Sequence, residues 1–187
     1  LPYAVKSTKI DKKILFKKKL HKKILLIGKL IDKKRPQDLI KAIAELSDNE
    51  IHLYIVGDGN LKNELNNLVF SLNLQDRVSF IGILSHKELN YFYKNSDLFI
   101  LPSGYGETWG LVVNEALSNG LPVIVSSRVG CSKDLCDNNG YIFDYKDYVG
   151  LSNKIENFYN LPFDQIIKMR KASISKSEIY SFNTISN

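Results

Sequence analysis

The sequence predicts an α/β domain with a doubly wound parallel sheet from its alternation of strand and helix patterns, while its composition, run lengths and chain length exclude disordered, fibrous and membrane-spanning proteins. Short apolar runs alternate with helical patterns along most of the chain, which is typical of βαβ units. Hydrophobic residues make up 44% and charged residues 25% of the 187 residues, and such values are typical of globular domains. No apolar run approaches the roughly 18 residues that a membrane-spanning helix needs. The length corresponds to about one domain.

The predicted strands are short apolar runs, most of which end at a glycine or a proline. The first, Lys23–Ile27, stops at Gly28, and the fourth, Asp97–Leu101, stops at Pro102. The other four are Ile51–Val56, Val78–Ile81, Pro122–Val125 and Tyr141–Phe143. Runs of this length are typical of buried strands.

Segments with helical spacing separate and follow these strands. They are Pro36–Leu46, Leu61–Leu72, Ser85–Lys94, Gly110–Asn119, Tyr145–Tyr159 and Phe163–Tyr180. Ser85 and Glu88 have the spacing of a capping box.

The predicted loops at the carboxyl ends of the strands are rich in glycine. Ligands of such sheets bind outside these strand ends. Eight of the 11 glycines lie in the loops there: Gly28, Gly57, Gly59, Gly82, Gly104, Gly106, Gly110 and Gly130.

Positive charge is concentrated in the first quarter of the chain. Residues 1–41 hold 14 of the 26 Lys and Arg residues but three of the 20 Asp and Glu residues. Such a region can attract phosphates, nucleic acid or an anionic membrane, and a solvated lysine-rich surface is the alternative. Nucleic acid is disfavoured as a partner because Lys12–Lys23 has few interleaved aromatics and no recognition motif follows it.

The cysteines and the absence of a secretory signal favour a cytoplasmic location. Cys131 and Cys136 have neither redox spacing nor a neighbouring histidine, so we interpret them as packing residues in a reducing compartment. Association with the inner face of the cell membrane stays an alternative because of the basic first quarter. The adjacent aromatics Tyr91, Phe92 and Tyr93 are interpreted as core and rim residues.

The start of the chain indicates a piece of a longer protein. The first residue is Leu1 and the one methionine is Met169. Residues 1–20 fit neither the helical nor the strand period, and we interpret them as a connection from a preceding domain. Residues 21–187 are then the α/β domain.

The most informative segment is Pro102–Pro122, in which a strand end, a glycine-rich loop and a helix follow one another. Glu107 precedes the helix and Glu115 lies within it, about 12 Å further along the axis. The helix start between them offers N–H groups and partial positive charge that suit a phosphate. The two carboxylates can accept hydrogen bonds from hydroxyls at opposite ends of a ligand. A sugar–diphosphate–nucleoside has this layout.

Cations in the loop after the first strand complement that segment. Lys29 and Lys34 are expected at the same sheet edge, together with Lys33 and Arg35. The first two can clamp a diphosphate and stabilise it as a leaving group. The alternative is a set of surface charges around a turn.

Glu107-x7-Glu115, within PSGYGETWGLVVNEALSNGLPVIVS, resembles the donor-site signature of retaining glycosyltransferases of family 4. This is the "glycosyl transferases group 1" set with the GT-B fold. Four further blocks are similar in order and spacing: PYAV, GKLIDKKRP, IVGDGNLKNEL and RVSFIGILSHKELNYFYKNSDLFILPS. The resemblance covers roughly residues 2–182. It implies the C-terminal, Rossmann-like, nucleotide-sugar-binding half of a two-domain hexosyltransferase.

The resemblance also implies a role for each site residue. Glu107, Lys29 and Lys34 are the implied catalytic residues, holding the donor sugar (Glu107) and the diphosphate (the two lysines). The implied substrate-binding residues are Glu115 for the ribose, Thr108, Trp109 and Gly110 for the sugar, Leu111 and Val112 for the phosphates, and Gly82 and Ile83 for the base.

The same resemblance implies metal-independent transfer with no cofactor, from a UDP-, GDP- or ADP-sugar and with retained configuration. The acceptor, a glycan, a lipid-linked sugar or a small metabolite, would bind the other domain, so residues 1–187 alone are expected to transfer little or nothing. Two departures matter. Lys29 stands where many members have arginine, which keeps the charge but loses the bidentate fork. The loop reads ETWG where other members have a different sequence with an aromatic residue, so Trp109 is expected to influence which donor is bound.

The sequence also allows several alternatives to the transferase interpretation. A GT-B epimerase would lack the Glu pair, and a pyridoxal-dependent phosphorylase would need its lysine in another context. A non-catalytic nucleotide-binding α/β module is another alternative. Its receiver-like form would want an acidic cluster at the end of the first strand, where Gly28 and Lys29 stand. A degenerate transferase half, kept as a partner-binding domain, is disfavoured because Glu107 and Glu115 are retained with both lysines.

Overall fold

The computed structural model describes residues 20–180, which form one six-stranded parallel sheet with helices on both faces. The strands are β1 Lys23–Ile27, β2 His52–Val56, β3 Val78–Gly82, β4 Leu98–Leu101, β5 Val123–Ser126 and β6 Gly140–Phe143. The helices are α1 Pro36–Glu45, α2 Lys62–Ser71, α3 His86–Asn95, α4 Leu111–Ser118, α5 Ser132–Leu135, α6 Tyr148–Tyr159 and α7 Phe163–Ile179, with a 3-10 turn at Asp32–Lys34. The predicted α/β fold is confirmed. The predicted connection, residues 1–20, lies outside the described residues except for Leu20.

The strand order is β3-β2-β1-β4-β5-β6, and every neighbouring pair is parallel. The chain therefore winds outward in one direction from β1 to β3 and in the other from β4 to β6. The order reverses between β1 and β4, and the loops that follow these two strands leave the sheet on opposite faces. A crevice forms at such a switch point, at the carboxyl ends of the strands.

Both faces of the sheet are buried, as parallel sheets require. Side chains alternate along β1, so Ile24 and Leu26 belong to one apolar cluster while Leu25 and Ile27 belong to the other. The first cluster is covered by α1, α2 and α6, and the second by α3, α4 and α5. Among residues 20–180, no helix is both long and apolar enough to span a bilayer.

The structure differs from the sequence prediction at several boundaries. β5 begins one residue later than predicted, at Val123, because Pro122 has no N–H to donate within the sheet. α6 begins at Tyr148, three residues later, because the Asp147 carboxylate caps it by accepting a hydrogen bond from the Gly150 N–H at 2.8 Å. The short α5 and the 3-10 turn were not predicted, because three or four residues are too few to show a period.

Candidate active site

The loops that follow β1 and β4 are tied together at the switch point. The backbone N–H of Gly104 donates to the Lys33 carbonyl at 2.7 Å, and the Lys33 ammonium donates to the Gly106 carbonyl at 3.4 Å. The Tyr145 ring packs closely on Gly104, since a Cβ there would lie 2.5 Å from the ring and would require Tyr145 to move. The cationic first loop and the glycine-rich fourth loop therefore form one wall.

Lys34 and Glu107, two of the three predicted catalytic residues, form an ion pair across this wall. The Lys34 Nζ donates directly to the Glu107 Oε2. The two side chains are only 16% and 13% exposed, so water screens the pair less than it would a surface pair. The sequence prediction placed these groups on different parts of a donor and did not anticipate their direct contact.

A cavity of about 260 Å³ opens beside this ion pair. It is lined by seven predicted site residues: Lys34, Glu107, Thr108, Trp109, Gly110, Leu111 and Val112. Gly110 is the N-cap of α4, with φ of 88°, and it has no side chain to bind the N–H groups of the first helical turn. This turn also carries no acidic residue. The arrangement combines a cation, a carboxylate and a helix start that suits an anion.

The loop that carries Glu107 is held from behind by the segment after β5. The Gly130 N–H donates to the Glu107 carbonyl at 3.1 Å, and the Cys131 N–H donates to the Trp109 carbonyl at 3.2 Å. A Cβ on Gly130 would lie 1.8 Å from the carbonyl oxygen of Thr108. Glycine at position 130 thus allows the close approach that sets the position of Glu107.

The Trp109 side chain has supports of its own. Its indole N–H donates to the Asn114 Oδ1 at 3.0 Å, and its ring lies 5.9 Å from the Tyr180 ring, between centroids. Tyr180 follows α7, so the last described residue contacts the wall of the cavity. Neither supporting contact was predicted, because each depends on how α4 and α7 pack.

A second cavity, of about 520 Å³, lies at the carboxyl ends of β1 and β2. Its walls are largely apolar side chains and glycine backbone: Ile27, Gly28, Lys29, Val56, Gly57, Asp58, Gly59, Ile83, Leu84 and Leu89. Lys29 is exposed. Close contact between the loops excludes a side chain at Gly57, where a Cβ would lie 2.0 Å from the Gly28 carbonyl oxygen. The predicted residues Lys29 and Ile83 are therefore in a separate cavity from Glu107 and Lys34.

Within residues 20–180, neither cavity is lined by Glu115 or Gly82. Glu115 is half-buried on α4, and its Oε2 accepts a hydrogen bond from the Tyr93 hydroxyl at 2.8 Å. Burial raises the pKa of Tyr93 well above its usual range, and the Glu115 carboxylate raises this pKa further. Tyr93 is therefore a neutral donor at physiological pH. No feature of the sequence predicts this contact, because the adjacent aromatics Tyr91, Phe92 and Tyr93 indicate only core and rim positions on a helix.

Other reactive residues lie outside the site. The Arg35 guanidinium donates twice to the Asp38 carboxylate, at 2.8 Å each, and so is directed onto α1. Burial raises the pKa of both Cys131 and Cys136 to about 12, which leaves these thiols protonated and supports their interpretation as packing residues. Among residues 20–180 there is no group of three His, Cys, Asp or Glu side chains that could hold a metal ion.

Comparison with known proteins gives a family match over most of the chain. The model of the family "glycosyl transferases group 1" matches residues 7–178. An uncharacterized glycosyltransferase of Methanocaldococcus jannaschii is 32% identical over 126 residues, which are 64% of this chain and 32% of that protein. The alpha-monoglucosyldiacylglycerol synthase of Streptococcus pneumoniae is 33% identical over 105 residues, or 55% of this chain and 24% of that protein. This chain thus spans about a third or less of these relatives.

A solved structure shares the fold. The crystal structure of Anabaena HepE in complex with UDP and glucose superposes with a TM-score of 0.78. The match covers 85% of this chain and 44% of that chain, at 21% sequence identity. At that identity the likeness concerns the fold.

Proposed function

This chain belongs to the glycosyl transferases group 1 family, and from that premise we propose that it is the donor-binding domain of a sugar transferase. The enzyme would move a sugar from a nucleotide diphosphate sugar to an acceptor, with retention of configuration. The observation that carries the proposal is the cavity at the start of α4, where Lys34 and Glu107 lie beside a helix N-terminus without a capping side chain. That set of groups suits a sugar joined to a phosphate.

Each of the two cavities would bind a different part of the donor. The smaller one would take the sugar and the diphosphate, with Glu107 accepting hydrogen bonds from sugar hydroxyls and the N–H groups of Leu111 and Val112 donating to phosphate oxygens. The larger cavity has mostly apolar walls and glycine backbone, which suit the faces and edges of a nucleobase. Lys29 lines this second cavity and would reach the diphosphate from the opposite side to Lys34.

The chemical step needs stabilisation of the leaving group. As the bond between the sugar and the diphosphate breaks, negative charge develops on the leaving oxygen, and the Lys34 and Lys29 ammonium groups would stabilise it. The start of α4 adds partial positive charge in the same place. The two lysines and the start of α4 would stabilise the leaving group without a metal ion or cofactor.

The acceptor would bind a preceding domain that lies outside residues 1–187. A lipid-linked acceptor is supported by the similarity to the alpha-monoglucosyldiacylglycerol synthase, and the basic first quarter would favour peripheral binding at an anionic membrane. The donor cavities do not distinguish between acceptors, so a glycan or a small-molecule acceptor fits the proposal equally well. The HepE complex with UDP and glucose supports a uridine nucleotide as the first donor to test.

The test is thermal unfolding of the chain with UDP, GDP and ADP and with their glucose conjugates. We expect one base series to raise the melting temperature, since a hundredfold excess over Kd stabilises by about 2.7 kcal/mol. Lys34→Ala should reduce the shift. The matched control is Lys168→Ala, which removes an exposed lysine of α7. The absence of a shift with every nucleotide, both for this chain and for the longer protein that contains it, would contradict the proposal.

A further inference from the structure

We propose that Tyr93 is a positioning residue that orients the Glu115 carboxylate toward the ribose of the donor. The inference rests on the proposed function, because it concerns how that donor is held. Tyr93 would not contact the donor. It would act through Glu115, and its effect would be confined to the ribose hydroxyls.

The contact joins two helices on the same face of the sheet. The Tyr93 hydroxyl, on α3, donates to the Glu115 Oε2, on α4, at 2.8 Å. Tyr93 is 3% exposed, and its ring packs against Phe99 of β4 with centroids 6.4 Å apart. The position of the hydroxyl is therefore fixed by the core, and a carboxylate bonded to it is fixed as well.

The backbone of Glu115 is held independently. Its carbonyl oxygen accepts hydrogen bonds from the Ser118 hydroxyl at 2.8 Å and from the Asn119 side-chain amide at 2.9 Å. The remaining freedom of Glu115 lies in its side-chain torsions, and the bond from Tyr93 restricts them. Among the described residues no donor to the Glu115 Oε1 is found, which leaves that oxygen for a ribose hydroxyl.

The expected benefit is preorganisation. A glutamate side chain that must be ordered on binding costs free energy, and a bond that orders it beforehand removes that cost. Hydrogen bonds to a charged acceptor are also stronger than neutral ones. Burial keeps the Tyr93 hydroxyl protonated, so that it continues to donate.

The experiment compares a nucleoside diphosphate with its 2′,3′-dideoxy counterpart, which lacks both ribose hydroxyls. The base is the one that the UDP, GDP and ADP panel selects. We expect the wild-type protein to bind the ribose form at least about tenfold more tightly, as charge-assisted bonds to hydroxyls imply. Tyr93→Phe should reduce this ratio to about threefold or less, by weakening the ribose form alone.

Two further variants separate positioning from a merely structural role. Tyr91→Phe removes a hydroxyl from the same helix at a residue that is 62% exposed, and it should leave the ratio unchanged. Tyr93→Phe added to Glu115→Gln should cause no further loss of the ratio, because the two act on one interaction. A melting temperature without ligand checks that each variant folds.

Each outcome decides between the two proposals. An unchanged ratio in Tyr93→Phe, or an equal loss for both ligands, would overturn the positioning role and leave the donor site in place. If neither this chain nor the longer protein binds either ligand, the proposed function fails, and the role of Tyr93 fails with it. A reduced ratio that depends on Glu115 supports both.

Discussion

At the scale of single residues, the ion pair between Lys34 and Glu107 determines what each side chain offers a ligand. Both groups are assigned to donor binding, yet each already has a partner of opposite charge. A diphosphate that binds Lys34 must compete with the Glu107 carboxylate for the same ammonium group. The carboxylate also repels the phosphate charge. Glu107 is thus expected to favour the binding of a nucleotide sugar over the binding of a nucleoside diphosphate without a sugar.

Replacement of Glu107 tests this competition. Glu107→Gln should strengthen the binding of a nucleoside diphosphate by about two- to fivefold, which corresponds to the loss of a partly screened ion pair. The same variant should lose the additional affinity that the attached sugar provides. Isothermal titration with UDP and UDP-glucose measures both quantities. Glu64→Gln, at an exposed position of α2, is the matched control, and weaker UDP binding by Glu107→Gln would contradict the competition.

The sequence predicts which residues belong to the site better than it predicts their contacts. The spacing of Glu107 and Glu115 around a helix start is a local pattern, so it can be read without a structure. The contact of Glu115 with Tyr93 joins residues 22 positions apart on different helices. The helical pattern predicts core and rim positions for Tyr91, Phe92 and Tyr93 together, but the partner of the Tyr93 hydroxyl depends on how α3 packs beside α4.

At the scale of elements, local signals fixed the positions of most helices and strands. The capping-box spacing correctly predicted the start of α3, where the Ser85 N–H donates to the Glu88 carboxylate at 2.7 Å. The loops were harder, because their form depends on contacts such as that of Gly130 with Thr108, across 22 positions of sequence. The glycine content of these loops predicted close approach but not between which segments.

The helix α7 is attached to the opposite edge of the sheet from the site. Arg170 of α7 donates to the Asp97 carboxylate at 3.2 Å, and these two side chains are 1% and 0% exposed. Asp97 also accepts from the backbone N–H groups of His21 at 2.7 Å and Lys23 at 3.2 Å. The Ser173 hydroxyl donates to the Leu121 carbonyl at 2.8 Å. These bonds hold α7 across the amino ends of β1, β4 and β5.

Loss of the arginine should therefore destabilise the whole domain. Arg170→Met keeps an apolar stem but leaves the Asp97 charge buried without its cationic partner, and breaking a buried pair in this way typically costs about 3–5 kcal/mol. Urea denaturation measures the change in the free energy of unfolding. Lys171→Met, at the next and exposed position of α7, should change it little. A loss below about 1 kcal/mol for Arg170→Met would contradict the role of the pair.

At the scale of the whole molecule, the two ends of the parallel strands have different roles. We call them the carboxyl edge and the amino edge of the sheet. The carboxyl edge carries the glycine-rich loops, both cavities and the Lys34–Glu107 pair. The amino edge carries the buried Asp97–Arg170 pair. The two apolar clusters between these edges fix their separation, so substitutions at the amino edge should lower stability without changing which ligand binds.

Four buried groups, two cysteine thiols and two tyrosine hydroxyls, should make the molecule less stable at alkaline pH. Burial raises the pKa of Cys131 and Cys136 from 9.0 to about 12, and it raises the pKa of Tyr93 and Tyr159 well above 10.0. The folded chain therefore keeps protons that the unfolded chain loses. These groups contribute their full stability below pH 9, and that contribution is lost as the pH rises toward 12.

We accordingly expect the free energy of unfolding to be steady near pH 8 and to fall above pH 9. Each group adds a slope that approaches about 1.4 kcal/mol per pH unit where its unfolded form is ionised and its folded form is not. Urea denaturation at pH 8, 9, 10 and 11 measures the slope.

Tyr159→Phe removes one of the four groups, so the decline in the free energy of unfolding above pH 10 should be shallower in this variant. It should also be no less stable at pH 8, because among residues 20–180 the Tyr159 hydroxyl is buried without a hydrogen-bond partner. A free energy of unfolding that stays constant from pH 8 to 11 would contradict the burial of these groups.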